Sequence, residues 1–217
     1  MSTRQSLDLS LYLVTDTALC GEFGVPATVR AAVRAGVTVV QLRDPLASDD
    51  EVVALGRAVV VALHGTGVPL IVNDRVHLVE AIGAQGAHIG QGDLSVGKAR
   101  ALLGPEPLLG LSVQTLEHLG ALADDHSTRL DYLGVGPVWP QSTKPDAASA
   151  SGLAVFEQIT RASAWPTVAI GGLDASRAAS VRAAGGAGVA IVSAICGQAD
   201  IGEATRLIRV AWDGGLS

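Results

Sequence analysis

AAVRAGVTVVQLRD, residues 31–44, carries a complete change of structure in one short run. It opens on alanine and arginine, which favour helix, and reaches Gly36, the usual residue just past a helix end. The β-branched run Val37–Val40 follows and suits a strand. Gln41 and Arg43 then sit two apart, so on a strand they point the same way. Pro45 stops the strand and stiffens the chain before a helix that Ser48 or Asp49 can cap. The same order recurs in EAIGAQGAHIGQ (80–91) and VRAAGGAGVAIVS (181–193). Each passes from a helix end through Ala or Gly into a strand, so the repeating unit is helix to strand.

Working outward, short apolar runs recur along the whole chain: LYLV (11–14), VTVVQL (37–42), PLIV (69–72), AHIG (87–90), LLGLSV (108–113), YLGVG (132–136), TVAI (167–170) and GVAIVSAI (188–195). Helical segments separate them, among them EVVALGRAVVVALHG, VHLVEAIGA, LAVFEQITRAS and, last, IGEATRLIRVAW. Near-continuously apolar short strands are those of a parallel sheet covered on both faces. Eight such units in 217 residues predict one α/β domain spanning 1–217, a (β/α)8 TIM barrel. A doubly wound open sheet is the alternative. It lacks support, because no G-x-G-x-x-G phosphate loop follows the first strand in LYLVTDTALCGEFG.

Composition narrows the partners. Hydrophobic residues make up 48%, enough for a large core, and the net charge is −6 with no basic block, which argues against nucleic acid. No stretch has the length of a membrane span, and the polar N-terminus lacks a signal-peptide core. Cys20 and Cys196 show no metal or redox spacing. A reducing, cytoplasmic setting is the expectation. The apolar outer helix faces suit core or interface equally, which leaves a homo-oligomer open.

Polar residues collect at the C-terminal ends of the strands: Thr15 and Asp16, then Gln41 and Arg43, then Asn73 and Asp74. Gln91 and Asp93, Ser112 and Gln114, Gln141–Lys144, Gly171–Gly172 and Ser193 continue the series. In a barrel these ends converge on the face that carries active sites. Asp16, Ser95 and Asp174 fit helix caps better than ligands. Three groups carry specific chemistry. Asp74 and Asp93 lie on neighbouring strand ends and can share Mg2+, which binds through one or two carboxylates plus phosphate oxygens; two surface acids explain them equally. Gly171–Gly172 with the backbone at Ser193 fits the phosphate site of the last two barrel loops, or a plain turn. Arg43 and Lys144 bring positive charge from separate strands. Arg43 needs an anion there, either Asp74 or a ligand.

In its motifs the chain resembles the thiamine-phosphate synthase family. The markers VQLRD, VND, HIGQGD, GLS, GVGPVWPQSTK and VAIGG run in order over nearly the whole length. The resemblance implies that a pyrimidine diphosphate joins a thiazole-ethyl phosphate (a carboxylated form included), giving thiamine phosphate and diphosphate. It puts diphosphate-side substrate contacts on Gln41, Arg43, Asn73, Ser112 and Lys144, with Arg43, Ser112 and Lys144 as catalytic residues. It puts Mg2+ on Asp74 and Asp93. It puts thiazole-phosphate contacts on Gln141, Ser142, Thr143, Gly172, Val192 and Ser193.

Three positions depart from the family's habit. Pro45 stands where lysine is usual, Gln141 where threonine is common, and Gln114 where histidine is frequent. Losing the lysine predicts weaker binding of the diphosphate substrate. Related thiazole tautomerases use a histidine at the Gln114 position as acid/base, which glutamine cannot replace. A non-catalytic barrel binding thiamine precursors, and an isomerase of sugar phosphates, are the other readings. Residues 144–152 suit a lid or an ordinary loop, Trp139 a pocket wall or packing, and His88 a structural place in the barrel mouth.

Overall fold

The computed structural model describes residues 7–123, 129–143 and 149–215. Eight parallel strands close into a barrel in chain order: β1 (Leu11–Val14), β2 (Val39–Leu42), β3 (Leu70–Asn73), β4 (Gly86–Ile89), β5 (Leu108–Val113), β6 (Tyr132–Val135), β7 (Thr167–Ile170) and β8 (Gly188–Ile191). The pairing of β1 with β8, Leu13 opposite Ile191, makes the closure. The α/β barrel expected from the repeated unit is therefore the fold, and no sheet edge is left to cap.

Helices fill the connections: α1 (Thr17–Cys20), α2 (Val25–Arg34), α3 (Asp49–Leu63), α4 (Val79–Ile82), α5 (Val96–Leu103), α6 (Leu116–Ala123), α7 (Leu153–Ala162), α8 (Ala175–Ala183) and α9 (Ile201–Asp213). The α2 helix buries Val25, Thr28, Val29 and Ala32, a 3–4 spacing that keeps one face on the sheet. Ser48 caps α3 in a capping box with Glu51, whose carboxylate takes the Ser48 N–H at 2.7 Å. Asp16, Ser95 and Asp174 each accept a backbone N–H from the helix that follows, so all three are caps. No helix among the described residues is long and apolar enough to cross a membrane.

Two elements differ from the sequence reading. The run GVAIVSAI was expected as strand to its end, but β8 stops at Ile191. The chain then turns, with the Cys196 N–H donating to the Val192 carbonyl at 2.8 Å. An apolar run has the same composition in a buried turn as in a strand, so periodicity alone cannot find the break. The segment VHLVEAIGA forms a 3-10 turn at Val76–Leu78 and only one α-helical turn before Gly83 ends it at φ 80°.

Strand alternation separates two cores. Leu11, Leu13, Val40, Leu70, Val72 and their equivalents face outward against the helices. Tyr12, Val14, Val39, Ile71, Tyr132 and Val168 face inward and fill the barrel. Glycine makes room for the large rings. A Cβ on Gly110 would lie 2.2 Å from Tyr132 Cζ and 2.5 Å from His88 Nδ1. The opposite face is held by Arg100, which donates to the carbonyls of Gly104, Pro107 and Arg129 and pairs with Asp131 at 3.5 Å.

Candidate active site

A cavity of about 350 Å3 opens among the C-terminal strand ends. The alternation that sends Tyr12 and Val14 inward also sends Gln41, Asn73 and Ser112 inward, and all of them line it. Arg43, one residue beyond β2, lines it as well. From the later strands come Gln141, Ser142, Thr143, Gly172, Val192 and Ser193. The structure thus brings together residues that the sequence spreads from position 41 to position 193. Lys144 lies outside the described residues, as do 145–148 of the segment read as a lid or loop.

Arg43 is half-buried, and its backbone N–H donates to Thr15 Oγ1 at 3.1 Å. Its guanidinium forms no ion pair or hydrogen bond among the described residues, so it is not paired with Asp74. A guanidinium left in a partly dry cavity without a counter-charge is costly, and a ligand anion offsets that cost. Neighbouring Arg75 is different. It pairs with Asp49 at 3.2 Å and donates to the carbonyl of Ala47, which ties the loop after β3 to the loop after β2.

Asp74 and Asp93 follow neighbouring strands, and both are exposed. Neither lines the cavity, but Asn73 beside Asp74 does, and so does Gly90, whose N–H donates to Asp93 Oδ2 at 2.7 Å. Asp74 has φ 59°, the left-handed region that aspartate tolerates better than most residues, and its N–H is held by the His88 carbonyl at 2.8 Å. Both carboxylates are therefore on fixed backbones. No group of three or more His, Cys, Asp or Glu side chains that could hold a metal ion occurs among the described residues. Two carboxylates with phosphate oxygens from a substrate suffice for Mg2+, so this donor set fits that ion.

The wall at the ends of β7 and β8 is backbone. Gly171 and Gly172 have φ 95° and 63°. A Cβ on Gly172 would come within 2.5 Å of the Pro140 carbonyl and 2.8 Å of Trp139 Cβ, and one on Gly171 within 2.6 Å of Pro137 Cβ. These glycines therefore serve two ends, a left-handed turn and close packing beneath the loop that carries Gln141–Thr143. Arg177 donates to the Gly172 carbonyl, and its guanidinium lies 5.2 Å from the centroid of the Trp139 ring. Trp139 is thus a packing residue of this loop. Among the described residues, no protein acceptor takes the N–H of Gly172 or of Ser193. Backbone N–H groups of this kind can receive a phosphate.

The sequence reading missed part of the interior. Gln41 Nε2 donates to Tyr12 Oη at 2.9 Å, and Tyr12 Oη is 2.7 Å from Tyr132 Oη. Tyr132 Oη is 3.1 Å from His88 Nδ1, and His88 Nε2 is 2.9 Å from Ser112 Oγ. Burial raises both phenols above the ordinary tyrosine value, so they stay protonated. Inward alternation with Val14 was the available signal for Tyr12. Nothing local marks Tyr132 or His88 as its partners.

Comparison with known proteins identifies the family. The profile of the family described as thiamine monophosphate synthase matches residues 11–195. A thiamine-phosphate synthase of Azorhizobium caulinodans is 46% identical over 202 residues, covering 93% of this chain and 94% of that protein. One from a Psychrobacter species is 46% identical over 200 residues, covering 92% and 93%. The solved structure of a thiamine phosphate pyrophosphorylase from Pyrococcus furiosus superposes with a TM-score of 0.85 at 30% identity, covering 98% of this chain and 99% of that one. The chain belongs to the thiamine monophosphate synthase family.

Proposed function

We propose that this barrel joins an aminopyrimidine-methyl diphosphate to a thiazole-ethyl phosphate, releasing diphosphate and giving thiamine phosphate. The observation that carries this reading is the pair of anion-seeking features that line one cavity, one from the end of β2 and one from the ends of β7 and β8. Arg43, without a protein counter-charge, serves one anion, and the N–H groups of Gly172 and Ser193 serve another.

In the reaction the pyrimidine CH2–O bond breaks, and the electron pair leaves with the diphosphate. The thiazole nitrogen then supplies the pair for the new C–N bond. Arg43 meets the charge that builds on the leaving oxygen, with Lys144 as its second cation and Ser112 and Asn73 as neutral donors. Asp74 and Asp93 are the residues to hold Mg2+, which adds positive charge beside the diphosphate. Gly172, Val192, Ser193 and the loop Gln141–Thr143 hold the thiazole phosphate. The walls supply orientation, and the step needs no protein nucleophile.

A tautomerase reading gains nothing from the site. Gln114 lines the cavity without proton chemistry, and both ring nitrogens of His88 are engaged inside the barrel. The test is incubation of the protein with both precursors and Mg2+, with chromatography for thiamine phosphate. Product formation is expected. Binding of both precursors without product would leave a precursor-binding barrel instead.

A further inference from the structure

We infer that the buried chain Gln41–Tyr12–Tyr132–His88–Ser112 has one fixed direction of proton donation, which makes Ser112 a donor and Gln41 Oε1 an acceptor toward the cavity. Tyr12, Tyr132 and His88 are then positioning residues for the reaction. Once the Gln41 amide is oriented, hydrogen-bond satisfaction fixes the direction of every bond that follows. Gln41 Nε2 donates to Tyr12 Oη, so the Tyr12 proton must go elsewhere, and Tyr132 Oη at 2.7 Å is its one acceptor among the described residues. Tyr132 has then accepted, and its own proton goes to His88 Nδ1. His88 is left protonated on Nε2 and donates to Ser112 Oγ. The Ser112 hydroxyl has no other protein partner among the described residues, and it lines the cavity, so its proton points to whatever the cavity holds.

With a neutral imidazole, any mixed assignment leaves a buried O–H without an acceptor or one of the four bonds unmade. Tyr12 is 2% exposed and Tyr132 0%, so no solvent relieves that cost. Turning the Gln41 amide over would reverse the whole chain. It would put N–H groups at the Gln41 end and bare lone pairs of Ser112 against an anion, the wrong sign for a diphosphate. The chain spans five strands, and glycine at 110 and 134 keeps the space for the imidazole. It links the two ends so that neither can turn over alone.

The assignment of the ends rests on the proposed function: Ser112 donates to the diphosphate, and Gln41 Oε1 accepts from the aminopyrimidine. The choice between the two directions rests on it too, through the sign of the diphosphate at Ser112, but the polarity can be read without substrate. The full chain is labelled with ring-15N histidine, and the His88 resonances are identified by their loss in His88→Gln. At neutral pH the shifts are expected to show a bare Nδ1 and a protonated Nε2. A proton on Nδ1 overturns the proposal. With activity established, Tyr132→Phe keeps the ring and removes one proton from the chain. It is expected to lower kcat roughly three- to tenfold, the effect of one oriented hydrogen bond, with KM within about twofold. Unchanged kcat in a folded Tyr132→Phe protein also overturns it. If that variant does not fold, the wild-type tautomer still decides.

Discussion

Replacing Arg43 by methionine separates a residue kept for the substrate from one kept for the fold. In a structural ion pair, removing one partner leaves the other charge buried and costs about 3–5 kcal/mol of stability. Arg43 has no such partner among the described residues, and its place in the protein is fixed by the backbone bond to Thr15, which methionine retains. The change should therefore leave stability within about 0.5 kcal/mol, the usual range for a site without a broken network. Catalysis should respond very differently. A donor aimed at charge that develops on a leaving group contributes roughly 3 kcal/mol, or about 150-fold in rate. Urea unfolding gives the first quantity, and steady-state production of thiamine phosphate gives the second. Near-wild-type activity with a loss of more than about 2 kcal/mol in stability would refute the reasoning and make Arg43 structural.

Other outcomes follow from the same geometry. Asp93→Asn keeps an oxygen for the Gly90 N–H and removes the charge, so it should fold normally yet need at least about tenfold more Mg2+ for half activity, read by metal titration. Gly172→Ala puts a Cβ 2.5 Å from the Pro140 carbonyl at φ 63°, so it should displace the Gln141–Thr143 loop and raise KM for the thiazole phosphate several-fold more than for the pyrimidine substrate. Pro45→Lys adds the missing cation and should tighten the pyrimidine diphosphate by roughly 1 kcal/mol, measured as a lower KM. Donation from the Ser48 N–H and hydroxyl holds the Glu51 carboxyl below its ordinary value. A carboxyl lowered by folding gives stability that is complete above its unfolded value, about 4.3, and lost as pH falls through the folded one. The thermal-stability gap between wild type and Glu51→Gln should therefore close as pH drops below about 4.

Much of this was legible in the sequence because barrel units announce themselves locally. Gly36 followed by Val37–Val40 marks a helix end and a strand, and the polar pair Gln41 and Arg43 marks the strand end that becomes the mouth. The caps Asp16, Ser95 and Asp174 were readable for the same reason, since each bond spans two or three residues. What stayed hidden depends on closure. His88 and Tyr132 meet across 44 residues, and Tyr12 and Tyr132 across 120. Only the inward register of separate strands, with glycine at 110 and 134, brings these rings together. The glycines at 171 and 172 were legible as a turn. Their close packing against Pro137, Trp139 and Pro140 needs the neighbouring strand. Strand eight was overread because Val192–Ile195 looks the same in a turn as in a strand.

The central claim is that one cavity couples loss of diphosphate to capture by the thiazole. Its most direct measurement is a paired product count from the wild-type protein with Mg2+, the pyrimidine diphosphate, and the thiazole phosphate present or withheld. Diphosphate and thiamine phosphate are expected in equal amounts when both precursors are present, with both products lowered together in Arg43→Met. Diphosphate released without thiamine phosphate, or neither product from the wild-type protein, would contradict it.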